Sequence, residues 1–201
     1  MFFNENMISK SNSNISFSSQ IRLINNQNFN KLSSRISNKN YVRYPWSVNE
    51  IVKDSAAYTR NIFDCTAGGV TDGQDVVMFH IAANKQNIRN FDAIQNKILS
   101  NLSLQKQNLQ GFLLGSANEI DKSRKLFSLF ENFFKKNDID YSAISGFKFD
   151  TSSNILYDSS KDCWFVTHEK MPKELSQKIS SKNVLEDIFA KINISKNDEL
   201  I

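Results

Sequence analysis

The sequence predicts an α/β fold of the α+β type, a sandwich of a mixed β-sheet with helices packed on it. Three observations predict this fold. Strand-length runs rich in β-branched and aromatic residues come first, two stretches with apolar residues at helical spacing follow, and strand-like runs return near the end. This order differs from the regular alternation of a parallel βαβ fold. The chain has 201 residues, which is enough for one domain with a sizeable core.

The first 40 residues are dominated by Asn and Ser and are predicted to be a disordered tail, because they offer little apolar surface to offset the entropy cost of ordering. Residues 41–201 are predicted to form a single domain. The Ser- and Asn-rich, nearly acid-free composition of the tail resembles the N-terminal secretion signals of bacterial type III effectors. A tail encoded by an AT-rich genome, which favours Asn, Lys and Ile, is the alternative.

The positive charge of the chain lies mostly in this tail. The net charge is +4, yet six basic residues and one acid occur up to residue 43, so the rest sums to −1. Nucleic-acid binding requires Lys and Arg clustered with aromatic residues on the folded part, and that pattern is missing. No run approaches the roughly 18 apolar residues of a membrane span, and the N-terminus lacks the apolar run of a secretory signal peptide. We therefore expect neither a membrane span nor export by the general secretory route.

The first strands are predicted after an aromatic cluster that begins near residue 41. The stretch from Ala56 to Phe63 mixes Tyr, Thr, Ile and Phe, which predicts a strand leading into the polar, glycine-containing bend DCTAGG. Asp72 and Gly73 form a hairpin turn signal, and the run from Val76 to Ile81 predicts a buried returning strand.

Two helices are predicted in the middle of the chain. Residues 92–106 place apolar side chains at helical spacing and predict an amphipathic helix, after which GFLLGS predicts a short buried strand. Ser116 or Asn118 is the predicted cap of the second helix. Its predicted apolar face consists of Ile120, Leu126, Phe127, Phe130, Phe133 and Phe134.

Strands return in the last third of the chain. The run YSAISGFKF predicts one strand, and NILYDSSKDCWFVTH predicts a hairpin around its Asp-Ser-Ser-Lys turn. A weaker helix is predicted from Asn183 to Ile192.

With two Cys and two His in the chain, few nucleophile and base pairs are available. Cys65 follows the first predicted strand and precedes Gly68 and Gly69, whose predicted turn would let backbone N–H groups approach a developing oxyanion. The hairpin brings His80 back beside its start, within hydrogen-bond reach of the thiol. An imidazole next to a thiol promotes its conversion to the nucleophilic thiolate.

Structural roles are the alternatives for these residues. A cysteine is most often a small buried hydrophobe, and a histidine on an apolar strand is more often a core residue than a base. The other pair, Cys163 and His168, is five residues apart on one predicted strand, so the side chains point to opposite faces. We interpret Cys163 and its neighbour Trp164 as packing residues, and both cysteines as thiols because a chain of this size needs no disulfide.

No metal or nucleotide site is predicted. Zinc sites need three or four Cys, His or carboxylate ligands at short spacing, and the sequence does not supply them. A phosphate-binding loop needs a lysine that CTAGGVTDGQ does not have. We expect no cofactor.

The spacing of Thr59, Cys65 six residues later and His80 fifteen further on resembles the catalytic layout of the CheD-like protein glutamine deamidases. That superfamily includes the chemoreceptor deamidases, the cytotoxic necrotizing factor toxins and the Burkholderia lethal factor. The later order of strand, Gly-Ser turn, helix, strand and hairpin is also similar, so the resemblance covers about residues 55–168. It implies that Cys65 is the nucleophile, that His80 is its base and general acid, and that Thr59 orients the imidazole.

Asp64 departs from the pattern of that family. A small residue usually precedes the cysteine, and Phe63 also replaces a small position. A carboxylate next to a thiol disfavours the thiolate unless it points away.

The resemblance implies a cysteine-dependent protein glutamine deamidase that converts Gln to Glu on a host protein, with residues 41–201 as its catalytic domain. It further implies a bacterial effector or toxin delivered into the host cytoplasm by a type III-like system. A host GTPase or translation factor is the expected class of partner. Two alternatives stay open, an inactive deamidase-like adaptor that binds protein, and a transglutaminase.

Overall fold

The computed structural model describes residues 8–10, 19–43, 51–102, 109–145 and 151–170. Within them two mixed β-sheets lie face to face, and helices pack on their outer faces. The predicted α+β sandwich is therefore confirmed. The predicted helix at 183–192, and the last residues of the 92–106 helix and of the YSAISGFKF strand, lie outside the described residues.

The larger sheet has six strands in the order β1-β8-β7-β5-β6-β3. Its central strands are antiparallel, whereas β7 and β8 run parallel. The strands are β1 (Ile8–Lys10), β3 (Ile51–Asp54), β5 (Thr66–Thr71), β6 (Val76–Ile81), β7 (Gln110–Gly115) and β8 (Asp140–Ile144).

The smaller sheet has four strands in the order β2-β10-β9-β4. Its β9–β10 hairpin turns at Ser159–Lys161, as predicted from the sequence. The strands are β2 (Gln20–Leu23), β4 (Ala56–Ile62), β9 (Thr151–Asp158) and β10 (Cys163–Lys170). Cys163 and Trp164 are buried in this sheet, which confirms their packing role.

Helices α2 (Lys85–Arg89), α3 (Phe91–Asn101) and α4 (Asp121–Lys136) cover the outer face of the larger sheet. The predicted apolar face of α4 from Leu126 to Phe134 is buried there, with the ring of Phe130 stacked 4.5 Å from that of Phe79. The predicted cap of α4 is wrong. The chain first makes a turn in which Ile120 N–H donates to the carbonyl of Ala117, so the helix begins at Asp121 without a side-chain cap. No helix among the described residues is long and apolar enough to cross a membrane.

The disorder predicted for residues 1–40 is wrong for residues 8–10 and 19–40. Residues 8–10 form β1, and residues 19–40 form β2, α1 (Asn26–Ser33) and a 3-10 turn at Asn38–Asn40. Because β1 and β2 are strands of the two sheets, the domain predicted to begin at residue 41 also includes these residues. Phe29 of α1 is fully buried against Tyr58, Leu156 and Phe165 on the outer face of the smaller sheet. One of the Asn residues that indicated disorder, Asn25, caps the N-terminus of α1. Its side chain accepts a hydrogen bond from Asn28 N–H at 2.8 Å.

The predicted hairpin around Asp72 and Gly73 is confirmed. A carboxylate oxygen of Asp72 accepts hydrogen bonds from Gln74 N–H at 2.8 Å and Asp75 N–H at 2.9 Å, and Gly73 has φ +86°.

The predicted glycine-containing bend after Cys65 is wrong, because Gly68 and Gly69 lie inside the buried strand β5. A β-carbon at Gly68 would lie 2.1 Å from the carbonyl oxygen of Phe112, and one at Gly69 would lie 3.0 Å from the ring of Trp164. These glycines allow close packing and do not form an oxyanion turn.

Replacing Gly68 with alanine is expected to destabilise the protein by roughly 2 kcal/mol or more, because the clash is with backbone that cannot rotate away. Gly73→Asn is the control, since its site is open and Asn tolerates the left-handed region. Urea unfolding of the two variants measures the difference. Equal losses of stability in both variants would contradict this account of β5.

Candidate active site

Cys65 stands immediately before β5, in the centre of the larger sheet. In the β5–β6 ladder Ala67 is opposite His80, and Cys65 lies two residues before Ala67, in the bend that leads into β5. The face that carries His80 packs against the smaller sheet, because its neighbours Ala67 and Met78 belong to the inter-sheet core. The hairpin therefore places His80 on the strand next to the one that Cys65 precedes.

Thr59 reaches His80 from the opposite sheet. It lies in β4, two residues after the inter-sheet core residue Ala57, and its Oγ1 is 2.7 Å from Nδ1 of His80. Both side chains are buried, His80 with 1% of its surface exposed and Thr59 with none. A polar pair is thus placed in an apolar interior, where its hydrogen bond counts for more than at a surface.

A third group fixes the direction of this hydrogen bond. The Thr59 hydroxyl donates to the carbonyl oxygen of Val42 at 2.7 Å, and a hydroxyl has one hydrogen to donate. His80 Nδ1 must then carry the hydrogen and donate to Thr59 Oγ1. The tautomer that results has its lone pair on Nε2, the ring nitrogen that a general base uses.

Val42, at the start of the predicted domain, is held in place by β4. Its N–H donates to the carbonyl of Tyr58 at 2.9 Å, and Tyr41 forms a bridge to the same residue of β4. Sequence reasoning missed Val42 because every residue carries a backbone carbonyl, so no side-chain signal could have found it.

His80 is neutral over a wide range of pH. Burial lowers its pKa from 6.5 to about 3, because the interior disfavours the charged imidazolium. In the unfolded chain the imidazole regains an ordinary pKa, so between these values the unfolded state binds a proton that the folded state does not.

Acid is therefore expected to destabilise the protein through His80. The free energy of unfolding should fall by up to about 1.4 kcal/mol per pH unit as the pH drops below 6.5 towards 3. In His80→Gln this contribution is absent, so the loss of stability with acid should be shallower. Urea unfolding from pH 7 to 4 compares the two proteins. Parallel curves would show that His80 does not titrate in this way.

Asp64 contacts the thiol. The Cys65 Sγ–H donates to Asp64 Oδ1 at 3.4 Å. Burial raises the pKa of Asp64, while the thiol hydrogen bond and the nearby charge of Lys122 act in the opposite direction. Asp64, the residue that departs from the pattern of the resembled family, therefore points towards the thiol. Its carboxyl is close enough to affect the chemistry of Cys65.

The backbone around the thiol is clamped by β7 and α4. Ser123, in the first turn of α4, donates its hydroxyl to the carbonyl of Asp64 at 2.6 Å and accepts the N–H of Ala117 at 2.9 Å. Gly115 approaches so closely that a β-carbon there would lie 2.3 Å from the Cys65 carbonyl oxygen, and Ser116 takes φ +66°. Ser123 thus ties the first turn of α4 to the backbone next to Cys65.

The site is closed in this structure, since only 1% of the surface of Cys65 is exposed. The alternative pair is not assembled. Cys163 and His168 lie on opposite faces of β10, and His168 Nδ1 is 2.9 Å from Ser153 Oγ. Among the described residues no three metal-ligating side chains come together.

Comparison with known proteins adds no relative, since no protein-family model and no curated protein sequence matches the chain.

Proposed function

We propose that this protein is a cysteine-dependent protein glutamine deamidase. The observation that carries the proposal is the buried hydrogen bond between Thr59 and His80, which lies on the strand next to the one that Cys65 precedes. A polar pair is costly to bury unless it is hydrogen-bonded, and apolar side chains would fill the same space without that requirement. The value of this pair is that it presents Nε2 of a neutral imidazole as a base.

The reaction follows from these groups. Cys65 Sγ attacks the side-chain carboxamide carbon of glutamine, and the thiol proton is passed to the departing nitrogen, so that ammonia leaves and a thioester remains. His80 Nε2 acts as general base and acid, with Thr59 and Val42 as positioning groups. Water activated by His80 then hydrolyses the thioester, which gives glutamate and restores the thiol. These residues all lie within 41–201, the range predicted to be the catalytic domain, and no metal or organic cofactor enters the scheme.

Deamidation and transglutamination differ in the acceptor of the thioester, which is water in the first and an amine in the second. Cys65, His80 and Thr59 are almost fully buried, so a glutamine side chain has to open the site, and water needs less additional room beside it than a lysine side chain or a polyamine. We therefore propose deamidation. Adding a primary amine to the reaction and searching for its incorporation separates the two.

The same burial favours one second candidate function. A thiol that is 1% exposed and hydrogen-bonded to a carboxyl can also belong to an inactive deamidase-like fold that serves as a protein-binding adaptor. The two differ in the reactivity of Cys65, which only the enzyme requires.

We further propose that the substrate is a host protein, a GTPase or a translation factor, and that the protein reaches the host cytoplasm as an effector through a type III-like system. The Ser- and Asn-rich composition at the N-terminus supports delivery.

Incubation of a host-cell lysate with the wild-type protein is expected to convert particular glutamines to glutamate, each seen as a mass gain of about one dalton. Cys65→Ala should abolish the conversion, because covalent catalysis requires the nucleophile. Cys163→Ala, which removes the other buried thiol, is the matched control and should retain it. Conversion by Cys65→Ala at the wild-type rate would refute the mechanism, and no conversion by the wild type would favour the adaptor.

A further inference from the structure

Asp64 is the one carboxyl that contacts the sulfur of Cys65 among the described hydrogen bonds. The resting thiol directs its hydrogen to Asp64 Oδ1, 3.4 Å away. The carbonyl of Asp64 is held at the same time by Ser123, so both ends of the residue are fixed relative to the nucleophile. The placement is that of a proton-transfer partner.

We propose that Asp64 is a further catalytic residue, which takes the proton of Cys65 in the first half of the reaction and delivers it to the departing ammonia. The inference rests on the proposed function and refines it, because Asp64 takes over from His80 the proton transfer of the first half of the reaction. His80 then serves the second half, in which it activates water.

The step balances without an added reactant. As Sγ bonds to the carboxamide carbon, the thiol proton moves to the carboxylate of Asp64, which becomes a neutral acid. The acid returns that proton to the nitrogen as the C–N bond breaks, so ammonia leaves, a thioester remains and Asp64 is a carboxylate again. Hydrolysis of the thioester by water restores the thiol.

The surroundings of Asp64 suit this role. Burial raises the pKa of its carboxyl, which makes it a stronger base than an exposed one. Lys122, in the first turn of α4, is the positive charge that acts on it. His80 lies on the neighbouring strand β6, and Gly115 at the end of β7 and Ser116 after it do not titrate.

Asp64 is the group to which the thiol hydrogen is directed, so it is the better placed first acceptor. His80 donates its Nδ1–H to Thr59, which leaves Nε2 for the later step. A neutral imidazole with its lone pair on Nε2 is suited to polarise water in the later step.

The test measures the rate at which iodoacetamide alkylates Cys65, resolved by peptide mass spectrometry from pH 5 to 9. Asp64→Asn keeps the shape of the side chain and removes the acceptor. Alkylation of Cys65 near neutral pH should fall roughly tenfold, and its pH profile should become that of an ordinary thiol. Cys163, equally buried and donating to a backbone carbonyl instead, is the internal reference and should react slowly in every variant.

Faster alkylation of Cys65 in Asp64→Asn overturns the proposal. If Asp64 acts only as a negative charge beside the thiol, its removal favours thiolate and alkylation accelerates. Unchanged alkylation overturns it as well. Asp92→Asn, an exposed acid in the first turn of α3, controls for charge and should behave as the wild type. Asp64→Ser provides a second removal of the carboxyl in case the amide disturbs folding, which thermal unfolding of each variant monitors.

Glutamine conversion adds an independent readout. Asp64→Asn should lower the turnover roughly 100-fold while the KM changes little, as expected for the loss of a general acid and base. Because alkylation needs no substrate, it decides the role of Asp64 even if the wild type converts no glutamine, so failure of this inference is distinguishable from failure of the proposed function.

Discussion

Replacing Thr59 with valine is expected to lower the rate of glutamine conversion roughly 10- to 100-fold. Valine has the shape of threonine but cannot accept the hydrogen of His80 Nδ1. The imidazole is then free to turn or to move its hydrogen to Nε2, and in either case the base is lost. The carbonyl of Val42 also loses the Thr59 donor, so we expect destabilisation of about 1–3 kcal/mol.

Thr59→Ser is the matched control for this result. Serine keeps the hydroxyl that bridges Val42 and His80, so the rate should stay close to that of the wild type. Turnover and urea unfolding, measured together, separate catalysis from stability. A valine variant as active as the serine variant would show that Thr59 does not orient His80.

The largest effect on stability is expected at Trp164. Its ring is fully buried between the sheets, 4.7 Å from that of Tyr157 and 5.2 Å from that of Phe112. Truncation to alanine leaves a large cavity, and we expect a loss of about 3–5 kcal/mol. For a chain of this length the thermal midpoint should fall by roughly 10 °C.

Trp164→Phe is the control for that measurement. The indole N–H has no hydrogen-bond partner among the described residues, so phenylalanine gives up packing volume without breaking a hydrogen bond. Its cost should be well below that of alanine. Similar midpoints for the two variants would contradict the assignment of Trp164 as the centre of the inter-sheet core.

The larger strands and helices could be predicted from the sequence because their side-chain pattern is strong. The aromatic face of α4 and the Asp72-Gly73 turn are such cases, since helical spacing and a left-handed glycine leave few alternatives. The position of His80 on the strand paired with β5, which begins directly after Cys65, followed from the same hairpin.

Other features depend on contacts between distant segments and leave no local signal. Asn and Ser around Phe29 indicate disorder when read locally, yet the segment is ordered because Phe29 inserts beside Tyr58 and Phe165. Gly68 and Gly69 indicate a turn when read locally. They instead lie inside a strand, where glycine is needed because β7 and Trp164 approach the backbone closely. Likewise, the clamp of Ser123 on Asp64 joins residues 59 positions apart.

The most direct measurement of the central claim is the mass of Cys65 during turnover. A reaction quenched in acid should contain a thioester between Cys65 and the substrate glutamine, which hydroxylamine removes and which Cys65→Ala lacks. Glutamine conversion that proceeds with the Cys65 thiol unmodified at every time point, and equally in Cys65→Ala, would contradict the account.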